Sequence, residues 1–232
     1  MTPAKILIIY PSRGRPVKFF EGLDSIYQNL HDTDNFHISC TLDEDDPSMN
    51  NKEVENRILS LKNTSIEWGL SDSKIHAINR GMPDEEGDIY YDWDIVVVFS
   101  DDMRVCLYGF DQIIRNEMSF GFPDGDGYLH FWEKDSKEAV NVMSIMDKKY
   151  YNRFGWIYHP EYQSLWVDNE QTETAKLLGR YKFFDCEIIK HLNPAYNYPG
   201  TEKDSMFLRQ QEIGWTADQE TYLRRKANNF DL

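Results

Sequence analysis

Asp94–Met103 reads DIVVVFSDDM, six residues of nearly unbroken apolar strand followed at once by a serine and two aspartates. A run of this kind, without the in–out alternation of a half-exposed strand, belongs inside a sheet covered by helices on both faces. It predicts a central strand over 94–99. Upstream, Lys5–Tyr10 (KILIIY) has the same character. Between the two, strand-like and helix-like stretches alternate: a helix over Val17–Leu30 with Phe19, Phe20, Leu23, Ile26, Tyr27 and Leu30 at helical spacing, a strand over Phe36–Leu42, a helix over Asn51–Leu61, a short strand over Thr64–Trp68 and a helix over Ser73–Gly81. Strand–helix alternation predicts an α/β fold with a mainly parallel, Rossmann-like central sheet.

Downstream the pattern loosens. A helix is predicted over Gly109–Met118, a turn-rich loop over Gly121–Gly127, strands over Tyr128–Trp132 and Val140–Ile145, a helix over Asp168–Leu178 opened by a capping box of Asp168 and Gln171, a last strand over Phe183–Lys190, and a polar helical tail from Thr201. No repeat or linker divides the 232 residues, so one domain is expected.

Forty acidic against twenty-five basic residues give a net charge of −15, a field that repels nucleic-acid backbones and anionic membranes. Cys40, Cys106 and Cys186 are odd in number and in no CxxC spacing, which suits a reducing compartment; with no apolar run near the ~18 residues of a membrane span, and no signal-peptide pattern at the start, a soluble cytoplasmic protein is expected.

In open sheets of this kind ligands bind beyond the carboxyl ends of the strands. Residues there are Ser12 and Arg13 after the first strand, Asp43, Asp45 and Asp46 after the second, Asp101 and Asp102 after the central one and His191 after the last. Adjacent carboxylates repel, and a divalent cation relieves them while bridging to phosphates; an imidazole among the donors moves preference from Mg²⁺ toward Mn²⁺. Taken alone, an Asp-Asp pair at a strand end is more often a solvated turn than a metal site. Lys203 and Arg209 read as a solvated helical face, or as cations closing over a diphosphate. Asp124 and Asp126 in PDGDG read as a hairpin turn. Trp132, Trp156, Tyr158 and Trp166 read as core, with a sugar platform as their other role. P-loop, GxSxG and HExxH patterns do not occur in the sequence.

The ordered set SRGRP, an Asp-rich turn, KIHAIN, VVVFSDDM, VDNEQTE and KHLNP resembles a glycosyltransferase of the GT-A type, and is most similar to family 2-like enzymes, including small ones from phages and bacteria. The resemblance implies a nucleotide-sugar-binding half over 1–120, a smaller mixed acceptor-side half over 121–200 and a helical tail over 201–232. It implies that Ser12 and Arg13 border the nucleotide, that Asp43 accepts hydrogen bonds from its base or ribose, and that Lys74 and Asn79 approach it. SDDM stands where such enzymes carry a DxD motif, so Asp102, with His191, would hold Mn²⁺ or Mg²⁺ and Asp101 would meet the ribose or sugar; Ser100 occupies the first acidic position. VDNE stands where inverting members carry their base, which makes Asp168 the first candidate and Glu170 the second. On residue pattern alone Asp168 is equally a helix cap and Glu170 a favourable first-turn charge. The implied activity is metal-dependent, hexosyltransferase-like and inverting: transfer of a sugar from a nucleotide sugar, UDP-linked in the first instance, to an acceptor hydroxyl on a glycan, a lipid-linked sugar, a protein or a modified DNA base. The alternatives are a sugar nucleotidyltransferase and a non-catalytic nucleotide-sugar-binding module.

Overall fold

The structure, a computed structural model, describes residues 2–83, 91–196, 198 and 201–232. Its elements run β1 (Ile6–Ser12), α1 (Pro16–Asn29), β2 (Phe36–Asp43), α2 (Lys52–Leu59), β3 (Thr64–Gly69), α3 (Lys74–Arg80), β4 (Ile95–Val98), β5 (Met103–Val105), α4 (Phe110–Gly121), β6 (Tyr128–Phe131), β7 (Ile145–Asp147), α5 (Lys148–Asn152), α6 (Val167–Leu177), β8 (Tyr181–Phe184), β9 (Ile189–His191) and α7 (Ser205–Ala227). Seven strands form one sheet in the order β3-β2-β1-β4-β7-β6-β8, and β5 and β9 form a separate antiparallel ribbon. The β3-β2-β1-β4 half is parallel; β7 is antiparallel to both of its neighbours, and β8 runs parallel to β6.

The sequence of β4 explains its place in the middle. Ile95, Val97 and Phe99 enter one core layer with α1, α2 and α4, while Val96 and Val98 enter the opposite layer with α3, α5 and α6. In β1, Ile6, Ile8 and Tyr10 divide from Leu7 and Ile9 in the same way. Both faces are therefore dry, and no polar alternation is tolerated. Helix α1 lies so close to β1 that a Cβ on Gly22 would stand 2.1 Å from the Tyr10 hydroxyl, which donates to the Phe19 carbonyl at 2.9 Å.

Three expectations change. The strand expected over Val140–Ile145 starts only at Ile145, because Asn141 turns inward and its Nδ2 donates to the Leu129 carbonyl at 2.9 Å. The strand expected over Phe183–Lys190 is two strands in different sheets, β8 and β9. The capping box does not form: Trp166, with φ 63°, caps α6, which places Asp168 in the first turn, and Gln171 instead donates to the Ile157 carbonyl at 2.8 Å. Among the described residues no helix is long and apolar enough to cross a membrane.

Candidate active site

The chain leaves β1 on one side to form β2 and returns on the other as β4, so the crevice between the carboxyl ends of β1 and β4 is the switch point at which such sheets bind ligands. A cleft of about 880 Å³, counting its open mouth, lies there. Ser12, Arg13, Asp43, Lys74, Asp101 and Asp102 all line it.

Asp101 and Asp102 point in different directions. Asp101 turns back to the β1 loop, accepting from the Ser12 hydroxyl at 2.8 Å and from Arg15 at 3.0 Å. Burial raises its carboxyl, against the attraction of Arg15. Asp102 turns to β9, where its Oδ2 is 3.4 Å from His191 Nε2, and its Oδ1 accepts from the Ser100 hydroxyl. This meeting is built by strand register. Met103 pairs with His191 across the ribbon, and the Leu192 amide donates to the Asp102 carbonyl at 2.7 Å. Burial opposes ionisation of Asp102, but His191 outweighs it, with help from Lys74 and Ser100, and holds the carboxyl well below the usual carboxylate range. Burial likewise works against the charge on His191, and Asp102 overcomes it, raising the imidazole.

Asp168, in the first turn of α6, is not among the residues that line the cleft but lies within electrostatic reach of Lys74 and His191. Burial raises its carboxyl, and Lys74, a hydrogen bond from Tyr158 and His191 moderate the rise. Lys74, at the start of α3 behind the Ser73 cap, therefore acts on both Asp102 and Asp168.

Glu170 does not join them. It is two residues along the helix, on the opposite face, where it accepts from Arg225 Nε at 2.9 Å and from the Tyr162 hydroxyl at 2.7 Å. Asn79 is also elsewhere: its amide donates to the Tyr158 carbonyl at 2.7 Å and accepts from the Ile157 and Tyr158 amides, pinning that loop. Asp43 is shared by Arg13 at 2.9 Å and Arg80 at 3.3 Å. Asp126 is a structural partner of Arg153.

Several cleft residues carried no sequence signal of their own. Arg15, the second arginine of SRGRP, bridges Asp101 to Asp204, the cap of α7, which also takes Lys18 at 2.8 Å. That anchor brings Met206 and Arg209 to the cleft wall. Asp218, fully buried on α7, accepts the amides of Gln163, Ser164 and Leu165 at 2.7–2.9 Å and holds that loop at the cleft.

Among the described residues no group of three or more His, Cys, Asp and Glu side chains is gathered to hold a metal. Asp102 and His191 form a mixed oxygen–nitrogen pair, which fits a divalent cation that draws its remaining donors from phosphate and water. His191 Nδ1 is buried and has no partner among the described residues.

No protein-family model matches the sequence, and no curated protein matches it either. Solved structures do match the fold. The mannosyltransferase PcManGT from Pyrobaculum calidifontis, in complex with GDP-Man and Mn²⁺, superposes with a TM-score of 0.62 at 14% identity, over 85% of this chain and 59% of that one. Residues 1–349 of S. aureus TarS superpose with a TM-score of 0.61 at 11% identity, over 82% of this chain and 61% of that one. The same TarS fragment in complex with UDP-GlcNAc gives 0.60 at 12%, over 80% and 58%. The chain thus spans about three fifths of the length of these neighbours. What it shares with them is the fold, the α/β sheet of GT-A type.

Proposed function

We propose that the chain is a metal-dependent glycosyltransferase that moves a sugar from a nucleotide sugar, UDP-linked in the first instance, to an acceptor hydroxyl with inversion at the anomeric carbon. The observation that carries this reading is the meeting of Asp102 and His191, with Lys74 beside them, at the switch point of a GT-A type sheet; Asp168 lies within electrostatic reach of Lys74 and His191.

In this reading Ser12, Arg13 and Asp43 border the nucleotide, and Asp101, fixed by Ser12 and Arg15, presents a rigid edge toward its ribose or sugar. Asp102 and His191 hold Mn²⁺ or Mg²⁺, which when bound supplies Lewis-acid neutralisation of the departing diphosphate. Asp168 takes the proton of the acceptor hydroxyl. The oxygen then forms its bond to the anomeric carbon as the bond from that carbon to the phosphate oxygen breaks, and the electron pair leaves with the nucleoside diphosphate. A carboxylate whose proton affinity is raised by burial, yet kept ionisable by Lys74, suits this transfer. The bonds Asn79 makes to the 157–158 loop leave it a supporting rather than a nucleotide-contacting part.

The test is a thermal-shift screen of UDP-, GDP-, CDP- and TDP-sugars with and without Mn²⁺, followed by assay of nucleoside diphosphate release. A bound donor at a hundred times its Kd should stabilise by about 2.7 kcal/mol. A UDP-sugar with Mn²⁺ is expected to give the largest shift, and Asp102→Asn to abolish the metal-dependent part of both shift and release, each read against the melting temperature of the free variant, which falls with the loss of the His191 pair. No shift from any donor, or full metal-stimulated release by Asp102→Asn, would overturn the proposal.

A further inference from the structure

A second cavity of about 960 Å³, counting its open mouth, lies behind α6, between the loop that joins α5 to α6 and the end of α7. On α6, Glu170, Gln171 and Thr174 line this cavity, whereas Asp168 does not and lies within electrostatic reach of Lys74 and His191.

The cavity has a polar floor and an aromatic wall. On the floor Arg225 and Glu170, each about 6% exposed in its side chain, form a two-pronged pair at 2.9 Å, and Arg225 also donates to Asp231 at 2.8 Å. The wall is Trp156, half-buried, with Phe154 tilted against it at 6.3 Å and His159 edge-on at 5.1 Å. The Thr174 hydroxyl, in a residue 3% exposed, has no hydrogen-bond partner among the described residues. A buried hydroxyl left unpaired costs stability unless something supplies a partner.

The chemistry selects the ligand. Both guanidinium groups are already neutralised, Arg225 by Glu170 and Asp231 and Arg153 by Asp126 at 2.6 Å, so nothing here attracts a phosphate or a nucleotide. An aromatic face beside charged hydrogen-bonding groups matches a neutral ring that is apolar on its faces and hydroxylated at its edge. We propose that this cavity binds a neutral sugar unit of an oligosaccharide, stacked on Trp156 with its hydroxyls on the Arg225–Glu170 pair and Thr174. The site requires neither metal nor turnover, so it stands or falls apart from the reading of the cleft.

The probes are N-acetylglucosamine oligomers and glucose oligomers of one to four units. In ¹⁵N-labelled protein the Trp156 indole N–H, assigned through Trp156→Phe, should shift saturably with at least one series. By calorimetry the affinity should fall at least tenfold in Trp156→Ala and several-fold in Thr174→Val, a near-isosteric change that spares the fold if the tryptophan variant does not. A UDP-sugar plus Mn²⁺ should leave the Trp156 signal in place. The proposal is overturned if no oligomer moves that signal at tens of millimolar, if binding persists undiminished in Thr174→Val, or if inorganic phosphate moves the signal instead.

Discussion

Replacing Glu170 by alanine strips Arg225, a side chain 6% exposed, of the carboxylate that binds it twice, and leaves the Tyr162 hydroxyl without its acceptor. Breaking a buried ion pair from one side costs about 3–5 kcal/mol, because the surviving charge stays out of water. Asp231 still touches Arg225, and the neighbouring cavity admits solvent, so the lower end applies. For a chain of this size each kcal/mol moves the melting temperature by roughly 2–4 °C, which puts the expected fall at roughly 6–12 °C. Arg225→Ala should cost a similar amount, and the double variant much less than the sum, since both remove the same pair. Asp168→Asn should behave in the opposite way. Burial already disfavours its charge, so melting should hold or rise, while turnover falls about 10²–10⁴-fold with donor affinity kept. Thermal melts and steady-state kinetics on the same preparations decide the matter. A Glu170→Ala protein that melts like the parent, or a Glu170→Gln protein that loses turnover where Asp168→Asn does not, would refute the division of α6 into a chemical and a structural face.

Arg209→Ala should weaken donor binding several-fold and leave the rate at saturating donor nearly unchanged, since this cation reaches the cleft wall from α7 rather than from the reacting centre; a loss confined to turnover would contradict that placement. His130 and His37 are both held by burial at about 4, against about 6.5 when unfolded, so the fold accommodates their neutral forms. Stability from these groups is complete above pH 6.5 and lost as pH falls toward 4, at up to about 1.4 kcal/mol per pH unit for each. Denaturant melts between pH 7 and 4.5 should show that slope, and His130→Gln should flatten it; an unchanged slope in the variant would assign the acid step elsewhere.

The half of the fold built from β1 to β4 was legible because β1, β2 and β4 are buried along nearly their whole length and cannot hide their composition. The ribbon was not. MRV and IKH are three residues each with a cation at the centre, and they are strands because they pair with each other, not because of any apolar pattern. So Asp102 and His191 were visible as separate strand-end residues, while their contact depends on a register that no local sequence encodes. VDNE offered Asp168 as the first candidate and Glu170 as the second, without showing that roughly 200° of helix separates their environments. Asn79 was placed near the nucleotide only by the family resemblance, and in the structure its side-chain hydrogen bonds go to the backbone of residues 157–158. Arg15 carries no signal of its own within SRGRP, since its partner Asp204 is 189 residues away.

Charge balance ties these parts together. The cleft is lined by Arg13, Arg15, Lys74 and Arg209 and by Asp43, Asp72, Asp101 and Asp102, four cations against four carboxylates. The two arginines nearest the strand ends are already committed, Arg13 to Asp43 and Asp45 and Arg15 to Asp101 and Asp204. A diphosphate entering this protein of net charge −15 therefore meets no surplus of positive charge from those arginines. Freeing Arg15 would leave Asp101, less than a tenth exposed in its side chain, without its cation, and freeing Arg13 would leave Asp43 with the longer Arg80 contact alone. What remains is Lys74, Arg209 and the Asp102–His191 pair. Of these, the pair alone can take up a doubly charged ion, and this is the electrostatic reason that an anionic donor and an acidic protein are compatible in the proposed function.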